Sequence, residues 1–264
     1  SVDQFYAATW SLFTLRLTAV IHARRSERQE GAQSAQCCNM ELCLLDVVST
    51  AFIIAFSNDS YGAMASTIAR TLYSTVSRLF ITDWLAAVRL LCTEAEYQSF
   101  LERTDLMADQ SSSQARVTLD QIVALYQLTA VETGDEMMGL WSRPVRPRAL
   151  QHLLTSVREA ASLPSALFRF STFWNLLLDD YQFALTERDD AWVLALQPLG
   201  QRPVQKFGHM LILKLAHGLL SWLARREVPV KEVGFSFERP SFVQDYAVIF
   251  PSPVTFDAIE TSIA

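Results

Sequence analysis

The sequence predicts an α+β fold: N-terminal helices followed by a small mixed β-sheet packed by a long apolar helix. Three observations point there. Apolar stripes at helical spacing fill residues 79–178, the period falls to two over residues 181–196, and residues 207–224 are apolar nearly all round. Half of the 264 residues are hydrophobic, so the chain can bury a sizeable core. The formal net charge is −6, with 8 Lys+Arg against 12 Asp+Glu in residues 1–115 and 14 against 16 in residues 116–264. Neither part has the basic balance of a surface that tracks phosphates.

Residues 1–75 carry apolar runs at 10–20 and 42–56 but few caps or turns to punctuate them. Two accounts stand: a divergent helical N-terminus, or an extension foreign to the native domain, which is favoured. The run at 44–56 falls short of the roughly 20 residues needed to cross a bilayer. Arg24, Arg25 and Arg28 follow the first apolar stretch instead of preceding it, the wrong order for a secretory signal. A cytoplasmic protein with no membrane partner is expected. Cys37, Cys38, Cys43 and Cys92 form no disulfide framework, and the first three lack CxxC spacing and a nearby His, so they are expected to be reduced thiols and not metal ligands. The segment ARTLYSTVSRL (69–79) has the look of a DNA-recognition helix but lacks a preceding helix and Gly turn.

From residue 79 the punctuation improves. Trp84, Leu85, Val88, Leu91 and Cys92 make one helical stripe, and Tyr97, Phe100 and Leu101 a second. A Ser-rich loop at 109–114 precedes Thr118 and Gln121, a capping-box pair that starts a helix running to about Gly134. Pro144 and Pro147 break the chain, and residues 149–178 read as two helices parted near 162–164. Tyr181, Phe183 and Leu185, then Trp192, Leu194 and Leu196, alternate about an Asp189-Asp190 turn, which is a β-hairpin. Arg225 and Arg226 suit the C-terminus of the long helix that follows. Residues 233–256 then pack several elements into little chain. Val233, Phe235 and Phe237 alternate as a strand; Pro240 stops it, and Ser241 can cap a helix. Phe242, Tyr246, Ile249 and Phe250 form that helix's stripe, and Val254, Phe256 and Ile259 suggest an edge strand.

Chemistry-bearing patterns are sparse. The glycines never approach GxGxxG or GxxxxGK[ST], and GxSxG and HExxH are absent. His209 and His217 share the long helix about 80° apart, where packed or capping histidines are the ordinary use. Asp179-Asp180 and Asp189-Asp190 are adjacent pairs that point to opposite faces, so they suit turns and not paired-carboxylate catalysis. Phe168, Phe170, Phe173, Trp174, Tyr181 and Trp192 could line an apolar pocket or simply fill a core. A catalytic role, a cofactor and a metal are therefore not expected, and no ligand-binding residue is singled out.

Three segments carry a resemblance: ARVTLDQIVALYQLTAVETGDEMMGL (115–140), LFRFSTFWNLLLDD (167–180) and VGFSFERPSFVQDYAVIFPSPVTFD (233–257). Together they resemble the N-terminal effector-sensing region of AraC/XylS-type bacterial transcription regulators, in the branch labelled arabinose-binding-like. The likeness runs from about Trp84 to the end. Gly134, Asp135, Gly139 and Leu140 match the family's GD…GL turn; Leu163, Ala166 and Leu167 match a helix start; Pro240, Tyr246, Phe250, Pro253, Val254 and Phe256 match its C-terminal pattern. Pro251 and Arg148 stand where that family commonly has Gly or a small turn residue. The resemblance implies a sensor over 84–264 that binds a small-molecule effector or a second copy of itself, as a homodimer. It implies DNA binding only through a C-terminal helix-turn-helix domain absent from this chain, which is expected to be truncated inside the sensor's last strand. The alternative is a stand-alone binding or dimerisation module.

Overall fold

The computed structural model describes residues 75–107, 115–201, 203–250 and 252–264. Residues 1–74, nearly all of the expected 1–75 extension and with it Cys37, Cys38 and Cys43, lie outside the described residues, as do the loop expected at 109–114 and Pro251. The architecture is α+β, as the change of period predicts. The described residues belong to one compact unit.

A short antiparallel ribbon opens the described body. Strand β1 (Thr75–Ser77) pairs with β2 (Arg116–Thr118), Val76 opposite Val117, both deeply buried. A 3₁₀ turn at Arg78–Ile81 leads into α1 (Thr82–Leu91) and α2 (Glu94–Arg103), the latter closed by a Thr93/Glu96 capping box. Of the predicted first stripe, Trp84, Leu85 and Val88 are buried, whereas Leu91 is exposed and Cys92 half-buried, because the helix ends there. The expected Thr118/Gln121 box starts α3 (Leu119–Thr133), which stops at Gly134 in the left-handed region (φ 66°). Helix α4 (Ala149–Arg158) follows the Pro-broken loop. Ser162 caps α5 (Leu163–Leu177) by accepting from the Ser165 N–H at 3.3 Å, with Pro164 in the first turn.

The second sheet has strand order β3-β4-β7-β5-β6. Its hairpin, β3 (Tyr181–Arg188) and β4 (Ala191–Pro198), turns at Asp189 and Asp190 with φ of 48° and 59°, the double left-handed conformation a two-residue turn needs. The predicted alternation holds only partly. Val193, Leu194, Ala195 and Leu196 are all buried, so both faces of β4 are covered there, while Trp192 stands 40% exposed. Helix α6 (Lys206–Ala224) packs against β7, α5 and α1. It is the one helix among the described residues long and apolar enough to cross a membrane, but 72% of that window is covered by protein.

The last segment is more broken than its sequence suggests. Strand β5 covers only Val233–Gly234. The Phe235 N–H adds one more bond, to the Thr255 carbonyl at 2.9 Å, and the chain then bends while Phe235 and Phe237 stay buried. Ser241 does not cap; a 3₁₀ turn at Val243–Asp245 begins at Phe242 without a side-chain cap and continues as the single turn α7 (Tyr246–Ile249). Strand β6 (Val254–Thr255) is the expected edge, parallel to β5, but Ile259 beyond it is fully exposed. The final strand is β7 (Thr261–Ile263), which inserts between β4 and β5 in the middle of the sheet. What unites this segment is its rings. Phe235 lies 4.9 Å from Phe237, 5.2 Å from Tyr246 and 5.8 Å from Phe256 by centroid. Asp245, also buried, ties it to the ribbon by accepting from the Ser77 N–H at 2.6 Å and from Arg116 Nη1 at 3.0 Å.

Candidate functional site

Two places in this body concentrate buried polar groups, and they are built in opposite ways. The first is the turn after α3. Asp135 Oδ1 accepts from the Met137 N–H at 2.9 Å and the Val145 N–H at 2.8 Å, and Oδ2 from the Gly139 N–H at 2.7 Å. Glu136 accepts from the Arg148 and Leu150 N–H groups at 2.6 and 2.7 Å, holding the start of α4. Burial raises the Glu136 carboxyl above its ordinary range, opposed by those N–H bonds; the Tyr126 phenol is pushed well up by burial, with both carboxylates adding to it. Gly139 has φ 74°, a left-handed conformation that favours glycine, and a Cβ there would push the exposed Leu91 side chain aside from 2.9 Å. This turn is a pin: every carboxylate oxygen has backbone to hold.

The second place is the N-terminal half of α6. Its N-cap, Gln205, makes no capping bond. Asp83 of α1 does the work instead, its Oδ2 accepting from the Phe207 N–H at 3.0 Å, and Trp84 stacks on the Phe207 ring at 4.7 Å. One turn on, His209 is almost fully buried, its Nδ1 2.9 Å from Thr261 Oγ1 on β7; the Ser236 N–H donates to the same hydroxyl at 3.1 Å. Burial holds His209 down to about 4, so the imidazole is neutral at pH 7. Tyr181 meets it edge-on at 4.6 Å, and the rings of Trp141 and Phe237 both lie 6.4 Å away. Gly208 lets Trp141 approach: a Cβ there would fall 3.2 Å from Trp141 Cη2 and 3.1 Å from Gln205 Cγ. Here the polar atoms are not paired. Trp141 Nε1, His209 Nε2 and Gln205 Oε1 are buried and make no hydrogen bond with the described protein, as is also true of Trp84 Nε1, Trp174 Nε1 and His217 Nδ1.

His217, expected as a packed or capping residue, has its own partner: Nε2 lies 2.9 Å from the Val228 carbonyl. The structure does not bring His209 and His217 to a common partner. Lys214, between them, is buried against Phe250, its ammonium 5.7 Å from the ring centroid and depressed to about 8 by burial, with Glu227 opposing. Asp179 and Asp180 part company. Asp179 is exposed opposite Arg143, but Asp180 is buried and accepts from the Ser142 N–H at 2.6 Å, a fixing role beyond the turn expected of it. Phe170, Trp174 and Tyr181 fill the core, while Phe168 and Trp192 stand exposed, so the six aromatics do not line one pocket. An apolar crevice between α4, α5 and α6, lined by Val157, Leu167, Phe170 and Leu219 among others, is too narrow to hold a water molecule. No group of three or more His, Cys, Asp or Glu side chains is placed to hold a metal among the described residues.

The fold and this pair of polar sites define a small α+β domain. A family model for the arabinose-binding N-terminal domain of AraC transcription regulators matches residues 95–264. The chain belongs to that family, which is a regulatory, effector-sensing and non-catalytic one. No curated protein matches the chain. Gly134, Asp135, Gly139 and Leu140, which carried the resemblance, are the pin itself.

Proposed function

We propose that this body is the sensor of an AraC-type transcription regulator, spanning about residues 84–264, with residues 1–75 an extension to it. It binds a small-molecule effector, and the bound state favours one arrangement of a full-length regulator over another. DNA is engaged by a helix-turn-helix domain elsewhere in that regulator, in the cytoplasm, and the sensor pairs with a second copy of itself. An effector drives such a switch only by its difference in affinity for the two arrangements. The observation that carries this proposal is the family match across residues 95–264. A thermal-shift screen with a metabolite panel, L-arabinose included, tests it. A ligand at 100 times its dissociation constant stabilises by about 2.7 kcal/mol. Sequence-specific operator binding by these 264 residues alone, in a mobility-shift assay, would contradict the division of labour.

A further inference from the structure

We infer that the exposed arginine loop between α3 and α4 is a docking surface for the phosphodiester backbone of double-stranded DNA, touched without regard to base sequence. This rests on the regulatory role proposed above and adds a contact to it.

Charge is spread unevenly along this acidic chain. Residues 137–158 hold four arginines and His152 but no Asp or Glu, while the other residues share 18 Lys and Arg against 28 Asp and Glu. The acids just before the loop, Asp135 and Glu136, are buried, and their carboxylates are occupied by the backbone N–H groups of the turn. Three of the arginines, Arg143, Arg146 and Arg148, fall within six residues and are all exposed, on either side of the buried Val145. Arg143 stands 3.8 Å from the exposed Asp179, a pair that contributes little in water. Neither Arg146 nor Arg148 has an ion-pair partner among the described residues.

The backbone beneath these side chains is fixed. The Ser142 N–H donates to Asp180 Oδ2 at 2.6 Å, the Val145 N–H to Asp135 Oδ1 at 2.8 Å and the Arg148 N–H to Glu136 Oε1 at 2.6 Å, while the Val145 carbonyl accepts from the Glu136 N–H at 2.7 Å. Pro144 and Pro147 restrict φ at two further positions. Only the side chains have to be ordered when an anion arrives. Arg148 is the most informative of the three. It holds a left-handed φ of 77°, and its side chain makes no hydrogen bond or ion pair among the described residues that would offset that strain.

The same arrangement selects the partner. A guanidinium presents paired N–H donors that match phosphate oxygens, and three of them strung along an exposed loop suit an extended polyanion better than one small anion. A transcription regulator acts at DNA, and the acidic remainder of the chain orients this face towards it. Contacts to phosphates alone supply affinity and position without reading sequence.

The test is fluorescence anisotropy of a labelled DNA duplex of arbitrary sequence, titrated with the full chain. Binding that weakens between about 50 and 200 mM salt, with a slope of log K against log salt of about −2.7 for three phosphates, is the expected result. The combined variant Arg143→Gln, Arg146→Gln and Arg148→Gly should bind at least tenfold more weakly, whereas a charge-matched control, Arg103→Gln, Arg188→Gln and Arg226→Gln, should bind within threefold of the wild type. No binding at the lower salt overturns the surface, as does equal weakening in the two triple variants. Binding to poly-L-glutamate but not to the duplex overturns the partner class. If a metabolite stabilises the protein and the duplex does not bind, the sensing role survives and this contact does not.

Discussion

The turn after α3 and the start of α6 both bury polar side chains, yet one is closed and the other leaves polar atoms without a protein partner. Asp135 and Glu136 accept five backbone N–H bonds between them, so their carboxylates serve the fold. Trp141, Gln205 and His209 contribute atoms that serve nothing inside the described chain. The difference separates groups that hold backbone in place from groups that only fill space. Satisfied buried groups are costly to change, whereas unsatisfied ones cost little to remove.

Breaking the closed site carries the largest expected effect. Asp135→Asn places an amide where the Gly139 N–H donates and sets two donors against each other. A loss of about 3 kcal/mol in urea unfolding is expected. A loss below about 1 kcal/mol would show that the turn is not pinned by this carboxylate.

His209 gives the next largest effect, and its sign is fixed by the direction of its shift. Its folded value, about 4, lies below the ordinary 6.5, so its contribution is present above pH 6.5 and lost as pH falls towards 4. Relative to His209→Gln, the wild type should lose roughly 3 kcal/mol between pH 7 and pH 4. A pH-independent difference between the two proteins would mean that His209 is not held neutral by burial.

Arg148 sharpens the comparison from the other side. It occupies the left-handed region at φ 77°, and it is the position where a small residue was expected on family grounds. Arg148→Gly keeps the N–H that donates to Glu136 and relieves the backbone strain, against the extra freedom glycine gains in the unfolded chain. A gain of up to about 1 kcal/mol by thermal unfolding is expected. A measurable loss would mean that the arginine side chain itself holds the turn.

Gln205→Met should have the smallest effect. The one bond its side chain makes is a long 3.4 Å donation to the Asp83 carbonyl, so stability should stay within about 0.5 kcal/mol. A larger loss by the same measurement would place Gln205 with the pins.

Much of the fold was legible because its helices carry local signals. The Thr118/Gln121 box, Gly134, Pro164 and the all-apolar α6 each announce a start, a stop or a buried element within a few residues. The strands were harder. β7 is only Thr-Ser-Ile, and it becomes central through pairing with Leu194–Leu196 and Val233–Gly234, partners set far off in sequence. β1 and β2 are three residues each and are defined by each other. Ile259 and Trp192 continue an apolar alternation that the structure does not use, since the sheet's covered faces are decided by which helices lie on them. The open cluster left least trace. Trp141 and Gln205 are 64 residues apart, neither belongs to a recognisable motif, and an unpaired atom is a property of packing that no spacing encodes.

The contrast between the closed turn and the start of α6 is tested most directly by urea unfolding of three proteins: wild type, Asp135→Asn and Gln205→Met. Asp135→Asn disturbs a carboxylate that accepts from three backbone N–H groups, whereas Gln205→Met removes one long side-chain bond. A loss of about 3 kcal/mol in Asp135→Asn, with a change within about 0.5 kcal/mol in Gln205→Met, is the predicted result. Equal losses in the two variants would contradict it.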